Sequence, residues 1–297
     1  MELTGLHFLL TYRCTFECDH CFAWGSPWQS IVFHIDDIRR ALEQAKNHPS
    51  IRTVYFEGGE PFLYYPVLVE SVRMAAEMGF GVGIVSNAYW AASEKDALKW
   101  LAPLAGLVQD LTVSSDLFHY NEKISRKAQN ASMAALKLGI ATGMITIEKP
   151  EALAPGIVGQ LPEGESGVMY RGRAAEKLAA QTRRRPWNAF TTCPHEDLRS
   201  PGRVHLDPLG NLHICQGLVI GNIFTNPLDE ICQTYMPENH PVIGRLLEGG
   251  PSGLVTAYGL AHEESVPDAC YLCYRARQAL RPRFPEYLAP DAMYGVF

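Results

Sequence analysis

The stretch from residue 5 to residue 21 reads GLHFLLTYRCTFECDHC. Its first part, Gly5 to Tyr12, is an apolar run with the length of a buried strand. Three cysteines follow at Cys14, Cys18 and Cys21. A short loop past a strand end can turn three such thiols toward one point. Thiolates are the usual ligands of iron–sulfur clusters and of structural zinc, and a closed site of either kind takes four protein ligands. Three thiols with no fourth nearby leave one coordination position open.

Outward from this loop the chain alternates between strand and helix patterns. DDIRRALEQAKN (36–47) reads as a helix with Asp36 as N-cap and Ile38, Ala41, Leu42 and Ala45 at helical spacing. RTVYFE (52–57) is the second strand, ending at Gly58–Gly59. VLVESVRMAAEMG (67–79) is a helix stopped by Gly79. GVGIVSN (81–87) is the third strand, and SEKDALKWLAPLAG (93–106) a helix capped by Ser93 and bent or ended near Pro103. LVQDLTVSSD (107–116), NEKISRKAQNASMAALKLG (121–139) and ATGMITIE (141–148) continue as strand, helix and strand. A Pro/Gly-rich loop, 150–167, interrupts the rhythm. GVMYRG (167–172) is a weaker sixth strand and AAEKLAAQTRRR (174–185) a helix. Such alternation implies right-handed crossovers and a parallel sheet. It fits an incomplete barrel or a doubly wound sheet, and both place chemistry at the carboxyl ends of the strands.

The rhythm stops after about Trp187. The remainder is rich in Cys, Pro and Gly, and a domain boundary is expected there. Leu206–Ile214 reads as a hairpin with Gly210–Asn211 in its turn. The chain has 297 residues, 47% hydrophobic and 20% charged, with a formal net charge of −6. An acidic chain has no general attraction for phosphate backbones or anionic membranes, so neither nucleic acid nor membrane is an expected partner. No apolar run reaches the roughly 18 residues of a membrane span. The N-terminus lacks the basic region and cleavage site of a signal peptide and reads as a strand. A cytoplasmic location follows as the expectation, and there clustered cysteines serve metals or catalysis rather than disulfides.

FEGGEPFL (56–63) follows the second strand. Two glycines let backbone approach a ligand closely, and Glu60 supplies a carboxylate that could accept hydrogen bonds from an ammonium group. Ser86 and Asn87 end the third strand; Ser114, Ser115 and Asp116 end the fourth. These polar residues could meet a ligand or cap the following helices. Asp116 and His119 share a loop and could bind substrate or move a proton.

With CxxxCxxC after a first strand and GGEP after a second, the chain resembles the radical S-adenosylmethionine enzymes. The resemblance implies that Cys14, Cys18 and Cys21 hold three irons of a 4Fe-4S cluster. The fourth iron is left for the amino and carboxylate groups of S-adenosylmethionine. One electron cleaves the sulfonium to methionine and a 5′-deoxyadenosyl radical, which abstracts hydrogen from substrate. It further implies that Gly58, Gly59, Glu60 and Pro61 contact the methionine moiety, and that Ser86, Asn87 and Ser114 reach the ribose and carboxylate. His20 stands where the family usually has an aromatic residue near the adenine. YRGRAAEK (170–177) resembles a GRA segment of the superfamily, which would turn Arg173 toward the cofactor. Trp24 and Trp28 could shield the cluster or simply pack.

Cys193, Cys215, Cys270 and Cys273 form a second set, with Cys270–Cys273 a CxxC. Four thiolates suit zinc or an iron–sulfur cluster. The set resembles the auxiliary-cluster regions called SPASM and, in the one-cluster form, Twitch, which implies a second 4Fe-4S cluster. Cys232 reads as a small core residue. GPSGLVTAYG (250–259) matches no function. The expected architecture is an incomplete (βα)6 barrel over residues 1–187 and a small auxiliary-cluster domain over 188–297. The expected reaction is oxidation of a small molecule, with the auxiliary cluster as electron acceptor. The alternatives are radical modification of a ribosomally made peptide and a non-catalytic iron–sulfur or zinc protein. The implied partners are S-adenosylmethionine, a small-molecule or peptide substrate, and an electron donor such as flavodoxin or ferredoxin.

Overall fold

A computed structural model describes residues 1–148 and 164–297. The first strands and helices follow in strict alternation: β1 (Gly5–Thr11), α1 (Ile35–Asn47), β2 (Thr53–Gly58), α2 (Tyr65–Glu77), β3 (Gly81–Ser86), α3 (Glu94–Leu101), β4 (Asp110–Ser114), α4 (Arg126–Lys137) and β5 (Ala141–Ile147). Then come β6 (Gly164–Ser166), α5 (Arg173–Lys177), β7 (Arg185–Pro186), β8 (Arg203–Leu206), β9 (Asn211–Cys215) and β10 (Leu218–Asn222). The chain ends with α6 (Leu228–Thr234), α7 (Ile243–Tyr258), β11 (Ser265–Val266) and α8 (Ala269–Leu280).

The main sheet runs β10-β9-β8-β1-β2-β3-β4-β5-β6. From β8 to β6 every pairing is parallel, while β9 and β10 run antiparallel. This is the parallel sheet of an incomplete barrel. Alternate residues divide its faces. Leu6, Phe8 and Leu10 of β1 pack in one core cluster with Ile38 and Leu42 of α1 and Leu68 and Val72 of α2. Leu9 packs in another, with Leu254 and Val255 of α7 and Leu272 and Tyr274 of α8. The C-terminal elements therefore cover the concave face. Strands on both sides of Trp187 share the sheet, because β8 pairs with β1 from Gly5↔Arg203 to Phe8↔Leu206.

Several boundaries differ from the sequence reading. Asp36 lies in the first turn of α1, where its charge suits the helix dipole, and His34 occupies the N-cap position. The fourth helix starts at Arg126 rather than Asn121, because the Ser125 side chain accepts the Ala128 N–H and sets the cap there. The sixth strand is Gly164–Ser166, upstream of GVMYRG; residues 167–171 are irregular. The helix expected over 174–185 ends at Lys177, followed by a 3-10 turn. Most of the loop read at 150–167 lies outside the described residues. The hairpin is present, with Gly210 at φ +86° in its turn and Asn211 opening β9. GPSGLVTAYG forms the second half of α7, beyond a kink at Gly249–Gly250.

Candidate functional site

A cavity of about 190 Å³ opens at the carboxyl ends of the parallel strands. Its wall brings together Cys14, Cys18 and Cys21 with Gly58, Gly59 and Ser86. Asn87, Ser114, His20 and His119 also line it.

The cysteine loop is held from several sides. Its entry is tied back by Cys14 N–H to the Ser26 carbonyl (3.0 Å) and by the Ser26 N–H to the Tyr12 carbonyl (3.4 Å). Arg173, almost fully buried, donates to the carbonyls of Cys18 (2.7 Å) and Gly25 (2.9 Å). Its guanidinium lies over the Trp24 ring, whose Nε1 donates to the Tyr274 hydroxyl. Arg173 thus braces the cluster loop from behind and does not line the cavity. Trp24 is buried in that packing, whereas Trp28 is 82% exposed.

The two glycines after β2 answer to backbone contact. A Cβ on Gly59 would sit 2.1 Å from the Arg13 carbonyl oxygen, and Gly58 has φ +135°. The Gly59 and Glu60 N–H groups donate to the Thr11 and Arg13 carbonyls, which sews the end of β2 to the entry of the cysteine loop. Glu60 and Pro61 are buried behind the lining. Glu60 accepts from Phe62 N–H (3.0 Å), Ser86 Oγ (2.9 Å) and Asn87 N–H (2.8 Å). Burial raises its carboxyl to about 7 despite these bonds. Asn87 in turn reaches Thr15 Oγ1 (3.1 Å) and Cys14 Sγ (3.5 Å). Glu60 therefore holds the residues that face the cavity.

Asp116 is buried and receives His119 Nδ1 at 2.8 Å, with His20 Nε2 4.0 Å away. Burial opposes its charge, yet the bond from His119 and the charge nearby hold its carboxyl below the usual range. Burial lowers His20 to about 4, so its imidazole is neutral at pH 7. Ser115 lies beneath the wall and organises the loop, donating to the Lys123 carbonyl and accepting from Ser125 N–H.

The four later cysteines also converge. Cys193, Cys215, Cys270 and Cys273 line a second, small cavity together with Arg171 and Arg277. Cys215 ends β9, and Cys270 and Cys273 sit in the first turns of α8, capped by Asp268 on Tyr271 N–H. Gly250 packs against the backbone of Thr191 and Thr192, and Ser252 N–H binds the Phe190 carbonyl. The kinked half of α7 thereby fixes the chain leading to Cys193. Cys232 lies elsewhere, buried in the helix-side core, and its carbonyl accepts from the N-terminal amine.

The donor sets bear on what they could hold. Burial pushes the Cys14 thiol up to about 12 and the Cys18 thiol further. Thiolates there need a cationic partner, and metal binding supplies one. Among the described residues, the groups of His, Cys, Asp or Glu ligand atoms gathered within 4.8 Å are His7–Glu57–His205 and His20–Asp116–His119. Three thiols on the wall of a cavity that also carries polar side chains fit a cluster with one open iron.

Sequence reasoning passed over Arg171. Its guanidinium reaches Cys215 Sγ at 3.1 Å while the residue lines the first cavity as well. It also passed over Glu57, which lines the cavity beside His7 and His205. For Glu57 the available signal was a polar residue at an inward position of β2; Arg171 stands on irregular chain, where no period marks it.

Residues 8–142 match the family model described as the Radical SAM superfamily. YydG of Bacillus subtilis strain 168, named for peptide biosynthesis, is 30% identical over 111 residues, covering 37% of this chain and 35% of the relative. The S-adenosylmethionine-dependent nucleotide dehydratase of Fibrobacter sp. strain UWH6 is 26% identical over 137 residues, covering 43% and 39%. The chain thus spans little more than a third of the length of these curated relatives. The solved structure of Streptococcus suis SuiB bound to its precursor peptide SuiA superposes with a TM-score of 0.57 at 12% identity, covering 91% of this chain and 76% of that one. Among the described residues no helix is long and apolar enough to cross a membrane.

Proposed function

From the match of residues 8–142 to the Radical SAM superfamily, we propose that the chain is a radical SAM enzyme that removes a hydrogen atom from a small-molecule or peptide substrate. When bound, the reduced cluster and S-adenosylmethionine supply a 5′-deoxyadenosyl radical for that step. The carrying observation is that one cavity is walled by Cys14, Cys18 and Cys21 and by the ends of β2, β3 and β4.

In this reading the three cysteines hold the cluster and Arg173 keeps their loop in shape. Gly58 and Gly59 let backbone approach the methionine moiety. Ser86, Asn87 and Ser114 offer hydrogen bonds to ribose and carboxylate, with Glu60 orienting the first two. Asp116 accepts a hydrogen bond from Nδ1–H of His119, which leaves Nε2 to accept or return a proton on the cavity side. His20 offers a neutral ring in place of the family's aromatic residue. Ile145, Ile147 and Val168 on the far wall keep water from the reacting atoms.

The finer proposal is oxidation of a small molecule. Residues 1–187 carry the radical chemistry, and Cys193, Cys215, Cys270 and Cys273 within 188–297 hold a second cluster that accepts the remaining electron. Arg171, between the two cavities, supports such coupling. A flavodoxin or ferredoxin would reduce the first cluster. A peptide substrate is the second reading, favoured by the name of the Bacillus subtilis relative.

The test is anaerobic preparation with iron and sulfide analysis, then reduction in the presence of S-adenosylmethionine. About eight irons per chain and formation of 5′-deoxyadenosine are expected, on two four-iron clusters. Cys18→Ala should lose about half the iron and all cleavage. Zinc at the second set would remove the electron-acceptor role. A fully iron-loaded, reduced enzyme that never releases 5′-deoxyadenosine, with or without candidate substrates, would refute the main reading.

A further inference from the structure

Three polar side chains stand on the concave face of adjacent strands, directly below Gly58–Gly59. They are His7 on β1, Glu57 on β2 and His205 on β8. His7 and His205 are register partners, and Glu57 lies two residues beyond Tyr55, the partner of His7 on the other side. The period-2 alternation of strands therefore puts all three on one face. His7 Nδ1 is 3.0 Å from Glu57 Oε1, and His205 Nε2 is 3.1 Å from the same oxygen. The three ligand atoms all lie within 4.8 Å of one another.

We infer that His7, Glu57 and His205 form a binding site for a divalent transition-metal ion of the zinc or iron(II) class, separate from both cysteine sets. Two imidazoles and one carboxylate are the donor set of open metal sites, in which protein fills three positions and leaves the others to water or substrate. The spacing agrees. Donors about 2.1 Å from one ion lie about 3.0 Å apart at right angles and about 3.4 Å apart in a tetrahedral site, and the two His–Glu distances fall at the short end of that range. The side chains are carried by paired strands, and the His7 ring stacks on Tyr55 with centroids 4.8 Å apart at 18°. Such support keeps ligand geometry rigid.

Glu57 is on the wall of the first cavity. An ion held there would border the space where a substrate would lie. It would bind an oxygen or nitrogen donor of that substrate and set which atom faces the reacting centre. The same contacts also describe a plain hydrogen-bonded His–Glu–His triad, in which Glu57 Oε1 accepts from two imidazole N–H groups. Metal binding would displace those two protons.

The experiment uses the full chain, prepared anaerobically with iron and sulfide counted, then equilibrated with zinc and dialysed. One zinc per chain beyond the cysteine-bound metal is expected. Glu57→Gln and His205→Gln should weaken zinc binding by more than about 100-fold, beyond the cost of losing an outer partner, with iron and sulfide unchanged. His119→Gln should leave it unchanged, which separates this site from the His20–Asp116–His119 group. Zinc-edge X-ray absorption of the unmutated protein should show nitrogen and oxygen neighbours. The inference is overturned by no additional zinc, by equal binding in the two variants, by loss in His119→Gln, or by a sulfur shell. None of these readouts requires cleavage of S-adenosylmethionine, so this result stands apart from the outcome for the proposed function.

Discussion

Glu60 shows how much a single side chain can carry at this site. It is fully buried and accepts three hydrogen bonds, yet burial dominates and raises its carboxyl to about 7. The folded state therefore favours the protonated form. Below the ordinary value of 4.5 both folded and unfolded chains hold the proton, and this preference contributes fully. As pH rises from 4.5 through about 7 the unfolded chain ionises first, and the contribution is lost. The loss is on the order of 3 kcal/mol. Denaturant melts of the metal-free protein should show wild type losing stability relative to Glu60→Gln across that window. Parallel curves for the two proteins would mean that Glu60 does not titrate there. The GGEP motif was legible as four residues, but its division was not. Glycines fit because backbone crosses at 2.1 Å from a would-be Cβ, while Glu60 turns inward to Ser86 and Asn87.

At the scale of elements, local signals placed strands and helices well where periodicity was long. All five strands read between residues 5 and 148 are present. Errors fell where a tertiary contact overrode local pattern. Ser125 starts α4 late, and GVMYRG is irregular because Gly172 and Arg173 turn back onto Cys21 and Cys18. The β8–β9 hairpin depends on a buried carboxylate in the same way. Asp207 accepts from Leu209 N–H, Asn211 N–H, Asn211 Nδ2, His213 Nε2 and the hydroxyl of Tyr12, which follows β1. Its carboxyl stays below the ordinary range because these donors outweigh its burial. Asp207→Ala leaves several buried donors unpaired and should cost about 3–5 kcal/mol. Thermal melts check this, and a shift equivalent to less than 1 kcal/mol would show that the network is dispensable.

For the whole molecule, the decisive feature is that the C-terminal third completes the first sheet. β8 covers the edge of β1, and Leu206 and Leu212 join the same core as Leu6 and Phe8. A chain ending at residue 187 would expose that edge and leave the concave-face cluster without α7 and α8. It should aggregate or lose cooperative unfolding, read by size-exclusion chromatography and far-UV circular dichroism melts. A monomeric fragment with a sharp transition would show that residues 1–187 fold alone.

The sequence by itself determined the parallel α/β class and the cysteine triad after the first strand, because these depend on spacing between near neighbours. Strand period, helix period and a CxxxCxxC loop are all written within a few residues of one another. Only the tertiary structure decided which far-apart residues meet. Cys14, Cys18 and Cys21 had an open side in the sequence, and folding placed Asn87, Ser114 and His119 across from it. It also put Arg171 between two cysteine sets and brought His7, Glu57 and His205 onto one oxygen. Those meetings depend on strand order and register, which come from burying both faces of the sheet at once rather than from any local run of residues.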